Sequence, residues 1–328
     1  MSTIISPART ACPACGEPAL ASWRQAGSSE PELSRRHSYP LLRCAACGSA
    51  TLAVEETAEA AELYDEGAYS EPAARWGPLT RSGRRLITWD RRRMLGSLPS
   101  GVRVLEIGAG RGELLADLAR RGYEVAGTEP AAASGNAALQ TGAPVGDAPI
   151  EQLEREPASA DLIILWHVLE HLGAPLAALE RVRPWLAPGG WLIVAVPNLG
   201  SLQARIGGDR WFHQDVPRHR TQFTAAGLDR LLRRAGFERR RRRRPLIDQN
   251  PLGMWLTLLN RLTVQRDVPF RLVKGTLRHH SRGDAARDAA VTVVAGPLLL
   301  IPAVLTEFAA TAAGKGGSLV VEAAPSTP

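Results

Sequence analysis

Apolar residues along this chain fall into two kinds of run. Short, largely apolar ones, at Val102–Ile107, Tyr123–Thr128, Asp161–Leu165 and Trp191–Val196, have the length of buried strands. Between them the apolar positions recur every three or four residues, as helices do. Leu114, Leu115, Leu118 and Ala119 share one face of Glu113–Arg121, and Gly122 follows as a stop. Thr224 is placed to cap a second such helix through Leu228, Leu231, Leu232 and Ala235. Arg81–Leu98 reads as the helix leading into the first strand, and Ala58–Leu63 as a short helix before it. Strands alternating with helices predict an α/β fold with a doubly wound sheet.

The pattern changes late in the chain. Phe237–Arg244 occupies a strand position but is almost all arginine, so an exposed or edge strand is expected, because inward charges could not be buried unpaired. Ala289–Thr306 then carries no charge over 18 residues. As a helix that stretch would span about 27 Å, close to a bilayer core. Pro297 and Pro302 are expected to break it. A single crossing would also strand Gly317–Glu322, another apolar strand, on the far side of the membrane from its sheet. An in-plane or re-entrant element, or helices packed on the core, is therefore expected, with Met254–Leu259 as a second apolar patch.

Charge sharpens this. The 328 residues carry 40 Lys plus Arg against 33 Asp plus Glu, a net +7. Arg230 to Arg244 alone holds nine arginines and one glutamate, or +8, so the rest sums to 7 − 8 = −1. That excludes a nucleic-acid binder with a broad basic face. Three uses of the arginine stripe stay open: a solvated edge, contact with an anionic membrane surface, and RNA phosphates. The Met1–Arg9 stretch lacks a basic segment followed by a long apolar one, so a cytoplasmic location is expected, with peripheral contact at the inner membrane face as an option.

All four cysteines sit in two knuckles, Cys12-Pro-Ala-Cys15-Gly and Cys44-Ala-Ala-Cys47-Gly. Two residues between thiolates let both sulfurs of a tight turn face one ion, and the pair of pairs predicts a four-thiolate structural Zn²⁺ site. Such a closed site serves folding rather than catalysis.

The first strand runs into Gly108-Ala109-Gly110-Arg-Gly112 at a helix start, a place where the backbone can approach an anion or nucleotide. Glu113 stands where the dinucleotide fingerprint needs its third glycine, so that fingerprint fails. Glu129 ends the second strand about 20 residues on, the place from which an acid reaches ribose hydroxyls in related folds. This Gly-x-Gly-x-Gly preceded by Glu106, the Gly146-Asp147-Ala148 segment, the Asp161–Leu165 strand with Trp166 after it, and Leu186–Val196 together resemble the Rossmann-like S-adenosylmethionine (SAM)-dependent methyltransferases. With the knuckles and Asp215–His219, the chain resembles a bacterial subgroup bearing zinc ribbons and related to the ubiquinone-biosynthesis O-methyltransferases. The resemblance implies a mostly parallel sheet with an antiparallel last strand. It implies SAM as cofactor, held by Glu106, Gly108, Ala109, Gly110, Gly112, Glu129, Pro130, Asp147, Ala148 and Trp166. Asp147 would face the adenine amine. It further implies that Tyr69, in Tyr64–Tyr69, lies over the SAM pocket.

Methyl transfer from a sulfonium needs the nucleophile held in line with the methyl carbon, and often a base. His167, Glu170 and His171 follow the strand ending at Leu165 and would share one face of a helical turn. In the ubiquinone group the equivalent region bears acids and a His; His167 replaces the first acid here. His171, His167 and His219 are the candidate catalytic residues. Trp211, His213, Asp215 and Arg218, on an aperiodic segment after the Trp191–Val196 strand, are candidates for acceptor recognition, together with Tyr69.

The expected organisation is a ribbon over 1–55, a helical linker or lid over 56–99, the SAM-binding core over 100–245, an apolar helical insert over 246–314, and the last core strand and tail over 315–328. The expected function is methylation at O or C of a small-molecule or lipid-linked acceptor. An RNA base methyltransferase, a nucleotide-sugar C-methyltransferase and a non-catalytic SAM-binding membrane adaptor remain alternatives.

Overall fold

The computed structural model describes residues 9–28, 38–53, 77–130, 142, 144–248, 250–278 and 281–326. The expected Ala58–Leu63 helix and Tyr69 lie outside them.

The chain opens with three antiparallel strands, β1 (Leu20–Gly27), β2 (Ser38–Cys44) and β3 (Ala50–Leu52). Helix α1 (Gly77–Leu95) leads to β4 (Arg103–Ile107), α2 (Glu113–Ala119), β5 (Glu124–Thr128), β6 (Val145–Gly146), β7 (Ala160–Trp166), α3 (Pro175–Val182) and β8 (Leu186–Pro197). There follow α4 (Leu202–Gly207), β9 (Thr221–Gln222), α5 (Ala225–Arg234), β10 (Phe237–Arg243), α6 (Asn250–Asn260), α7 (Val268–Lys274), α8 (Arg282–Ala312) and β11 (Ser318–Pro325). Apart from the helical turn expected over 167–171, every strand and helix expected within the described part of 100–240 is present. The Thr224 side chain caps α5 by accepting from the Gly227 amide.

The main sheet has the order β10-β11-β8-β7-β4-β5-β6. The five strands from β8 to β6 run parallel, whereas β11 is antiparallel to both β8 and β10. The last strand is antiparallel, as expected, and the arginine strand is an edge. Its charges are partly answered on the surface: Arg239 and Arg242 reach Asp229, while Arg241 and Arg243 reach Glu322. The parallel strands are buried on both faces, which is why they read as largely apolar runs rather than alternating ones. Leu105, Ile107, Ile163 and Leu165 face α3 and α5, whereas Val104, Leu162 and Ile164 face Met94 of α1 and Leu114, Leu115 and Leu118 of α2. From β4 the chain winds one way to β5 and β6 and the other way to β7 and β8. The switch point therefore lies between the carboxyl ends of β4 and β7, where open α/β sheets bind ligands.

The knuckle module is fused to this body. β3 pairs with β9, aligning Ala50 with Gln222 and Thr51 with Thr221. The Leu52 amide donates to Arg220 O at 3.0 Å, and Thr224 Oγ1 donates to Cys47 O at 2.6 Å. All four cysteines belong to the same apolar cluster as Phe223, Leu228 and Leu231. Gly227 is required here, since a Cβ would lie 2.0 Å from Ser49 Oγ.

One expectation fails. Pro297 and Pro302 do not break the apolar stretch: α8 runs unbroken through both. Each proline removes one i→i−4 bond, but both sit on the exposed side of the helix, where the strain of a bend is easily relieved. The opposite face is fastened by Trp255, whose Nε1 donates to Gly296 O at 2.7 Å.

Candidate active site

The turn after β4 is built by left-handed glycines, with φ of 70° at Gly108, 56° at Gly110 and 73° at Gly112. These angles suit glycine. The amides of Gly108 and Ala109 donate to Thr128 O, tying the turn to the end of β5. Gly110 N–H donates to Glu129 Oε2 at 2.8 Å. The Glu129 amide in turn donates to Gly146 O, and Thr128 Oγ1 donates to Ala148 O. Glycine turn, ribose-type acid and Asp147 segment are thus one connected rim. Pro130 follows Glu129 directly on that rim. Behind it, Glu106 is buried, and its Oε2 has no hydrogen-bond partner among the described residues. Burial pushes its carboxyl up to about 8.

Across the switch point, the chain leaves β7 with His167 at φ 56°. This corrects the helical-turn expectation. The left-handed residue makes a turn instead, and His167 and His171 diverge with Glu170 between them. His167 Nδ1 lies 3.0 Å from Glu170 Oε1, and His167 Nε2 lies 3.2 Å from Asp248 Oδ2. Asp248 also accepts from Trp166 Nε1 at 3.3 Å and from Arg91 Nε at 3.2 Å. Trp166 is thereby engaged from below, buried at the strand end.

Desolvation alone would lower the His167 pKa, but the hydrogen bonds to Asp248 and Glu170 outweigh it and hold the imidazole up at about 9. Against the opposite pull of their own burial, the His167 cation brings Glu170 down to about 2, while Arg91 and then His167 hold Asp248 below the usual carboxylate range. His167 is therefore a locked cation. Its stabilising contribution is complete below the ordinary histidine value of 6.5 and is lost as pH rises through about 9. In an NMR titration its ring stays cationic through neutrality, and Asp248→Asn lowers its midpoint. A wild-type His167 step near 6.5 would refute the sandwich.

The other pair behaves differently. His171 Nδ1 lies 3.1 Å from Arg218 O, and His219 Nδ1 lies 2.7 Å from His213 O. A carbonyl only accepts, so each Nδ1 carries the proton and Nε2 is the basic nitrogen. The two rings meet edge to face at 4.7 Å. Burial first, and then His219, lowers His171 to about 4, so it is neutral at physiological pH. Ligand atoms of Glu170, His171 and His219 all lie within 4.8 Å of one another.

The acceptor-side residues divide. Asp215 and Arg218 form a paired, half-buried clamp, with Arg218 Nη2 2.7 Å from Asp215 Oδ1. Trp211 and His213 lie beneath the loop, fully buried against each other with ring centroids 5.7 Å apart. Burial pushes His213 down to about 3.

Three residues that sequence reasoning missed assemble this side. Asp90 of α1 is fully buried, and its Oδ2 accepts the amides of Leu246, Ile247 and Asp248 at 2.9, 2.7 and 3.1 Å. That cradle presents Asp248 to His167, with Arg91 beside it. No local pattern links residues 158 positions apart.

The four sulfurs also lie within 4.8 Å of one another, with Cys12 to Cys47 at 3.7 Å and Cys15 to Cys44 at 3.5 Å. Tetrahedral ligands about 2.3 Å from one ion would be about 3.8 Å apart, so the cage has the right size for zinc. Gly16 and Gly48, at φ 82° and 75°, close the knuckles by donating to Cys12 O and Cys44 O.

Residues 79–240 match the family model of a methyltransferase domain. That stretch of the chain is a methyltransferase domain. A ubiquinone biosynthesis O-methyltransferase from Paracidovorax citrulli is 32% identical over 142 residues, covering 40% of this chain and 60% of that protein. The chain thus spans about three fifths of that relative's length. The Maricaulis maris protein of the same name is 28% identical over 216 residues, or 59% and 84% of the two chains. Among solved structures, a SAM-dependent methyltransferase from Thermotoga maritima aligns with a TM-score of 0.41 and 25% identity over 50% of this chain and 75% of that one. The methyltransferase domain begins within α1 and ends in β10, so the knuckles, the insert and β11 lie outside the matched stretch.

Proposed function

We propose that the chain transfers the methyl group of SAM to a small-molecule or lipid-linked acceptor at oxygen or carbon, with His219 as general base and His171 beside it. The observation that carries this is the pair of imidazoles whose Nδ1 atoms are tied to carbonyls next to Glu170, across the switch point from the glycine turn. The turn suits SAM because its glycines admit close backbone approach, and because Glu106 offers a buried carboxyl oxygen unpartnered among the described residues. When bound, SAM supplies an electrophilic methyl group. Gly108, Ala109, Gly110 and Gly112 would cradle it, Glu129 would turn from the Gly110 amide to the ribose, and Asp147 and Ala148 would line the adenine side. On the acceptor side, Arg218 and Asp215 would orient the substrate, and His219 Nε2 would take up the proton that the acceptor gives up as its bond to the methyl carbon replaces the carbon–sulfur bond, the neutral thioether being the leaving group. His167, locked as a cation, holds Glu170 in place rather than acting as a base. Zinc in the four-thiolate cage is structural.

The test is transfer of labelled methyl from SAM into separated lipid, soluble-metabolite and RNA fractions. Label in lipid or soluble metabolites is the expected result; label in RNA overturns the acceptor class. With an acceptor in hand, His219→Gln lowers kcat by about 10²–10⁴-fold, the usual size of general-base catalysis, while SAM affinity is unchanged. A fall in SAM affinity instead would remove His219 from the base role.

A further inference from the structure

The surface of α8 is inverted relative to a normal surface helix. Its inner face packs on α6 and carries the polar anchors. Asp288 accepts the amides of Val264 and Gln265 at 2.6 and 3.0 Å. Glu307 accepts from Gly317 N and Gln203 Nε2, both at 2.7 Å. The outer face is apolar: Val293, Val294, Leu298, Ile301 and Leu305 are each 63–72% exposed. Val294, Leu298, Ile301 and Leu305 follow at steps of four, three and four residues along one stripe, with Val293 beside it. Among the described helices, α8 has the length and composition of a membrane span, yet only 11% of its most apolar window is buried. Single exposed apolar residues need no explanation, but a contiguous stripe does.

We propose that this stripe docks on an anionic lipid bilayer with the helix axis in the membrane plane. Three observations select that occupant. First, the two acids on the inner face are 19 residues apart, about 28 Å of helix, and both are bonded to the backbone of the body. The helix cannot tip across a membrane without tearing both away, so it lies flat. Second, the charges around it are one-sided. Lys274, Arg278, Arg282, Arg287 and Lys315 flank the stripe; of the acids in that interval, Asp288 and Glu307 are buried inward, leaving only Asp284 outside. Basic residues at the edge of an apolar face suit anionic headgroups. Third, the stripe lacks Trp, Tyr and Arg, the anchors of protein–protein contacts, which disfavours a second copy of the chain.

The placement bears on substrate access. Helix α6 separates α8 from the acceptor loop, for a Cβ at Gly253 would lie 2.8 Å from His213 Nε2 while Trp255 reaches α8. The site therefore stands about two helix diameters, roughly 20 Å, above the docked face. The inference concerns where the chain works, and holds whether or not the acceptor is itself a lipid.

The experiment is co-flotation of the full chain with vesicles of phosphatidylcholine, with and without phosphatidylglycerol. Binding to the anionic vesicles is expected. Arg278→Glu with Arg282→Glu weakens it by at least about fivefold per residue, given about that contribution from each basic group near such a surface. Leu298→Asp with Ile301→Asp abolishes it, and retained SAM binding in calorimetry shows that the variant folds. Gly283→Cys and Ala313→Cys both label with a membrane-impermeant maleimide on sealed vesicles. The proposal is overturned if the wild type floats with neither vesicle, or if the Asp variant floats like the wild type. A dimer in solution that the Asp variant dissolves, or protection of only one of the two cysteines, overturns it equally.

Discussion

Gly110→Arg abolishes SAM binding, with a loss of more than 100-fold expected in calorimetry. An arginine at φ 56° is strained by roughly 1–2 kcal/mol, and its side chain fills the space the cofactor needs. The same titration on the wild type carries a second signature. Burial holds the Glu106 carboxyl protonated up to about 8. A cationic ligand settling beside it favours the carboxylate, so SAM binding at neutral pH releases up to roughly one proton. Repeating the titration in buffers of different ionisation enthalpy reads that proton directly. Glu106→Gln keeps the shape and removes the release. A Gly110→Arg chain that binds SAM normally would exclude the turn as the cofactor site.

Zinc removal has the other large effect. Cys12→Ser with Cys44→Ser loses the single ion expected per chain by elemental analysis. Structural zinc sites contribute on the order of 10 kcal/mol to folding of the module that holds them. Here the cysteines share a cluster with Phe223, Leu228 and Leu231, so the loss spreads into α5 and β9. A fall in Tm of more than about 10 °C is expected, at roughly 2–4 °C per kcal/mol for a chain of this size. Mild chelation below that Tm separates structure from chemistry. Acceptor KM rises because β9 belongs to the acceptor segment, while SAM affinity stays within about twofold because the glycine turn hangs from β4 and β5. Equal weakening of both ligands would refute this division.

The parallel strands and the cysteine cage were legible in the sequence because each rests on local signals: apolar runs, glycine stops and two-residue thiolate spacing. The glycine turn and Glu129 were legible for the same reason. The His167 sandwich was not. Residues 167, 170 and 171 are close in sequence, but their directions depend on one left-handed residue, and nothing local announces φ 56° at a histidine. Its other partner, Asp248, is 81 residues away and is placed by Asp90, which is 158 residues from Asp248. The unbroken course of α8 was also hidden. Proline's cost depends on which face it occupies, and that face is set by Asp288 and Glu307 gripping the body.

The order of α8 and β11 along the chain has a consequence for synthesis. The sheet cannot close between β8 and β10 until β11 has left the ribosome, and α8 emerges before it. For that interval the nascent chain displays an uncharged, helix-forming stretch as apolar as a membrane segment. It is then open to capture by targeting factors, and the completion of β11 draws it back onto the body. Deleting β11 would therefore misdirect the chain as well as destabilise it.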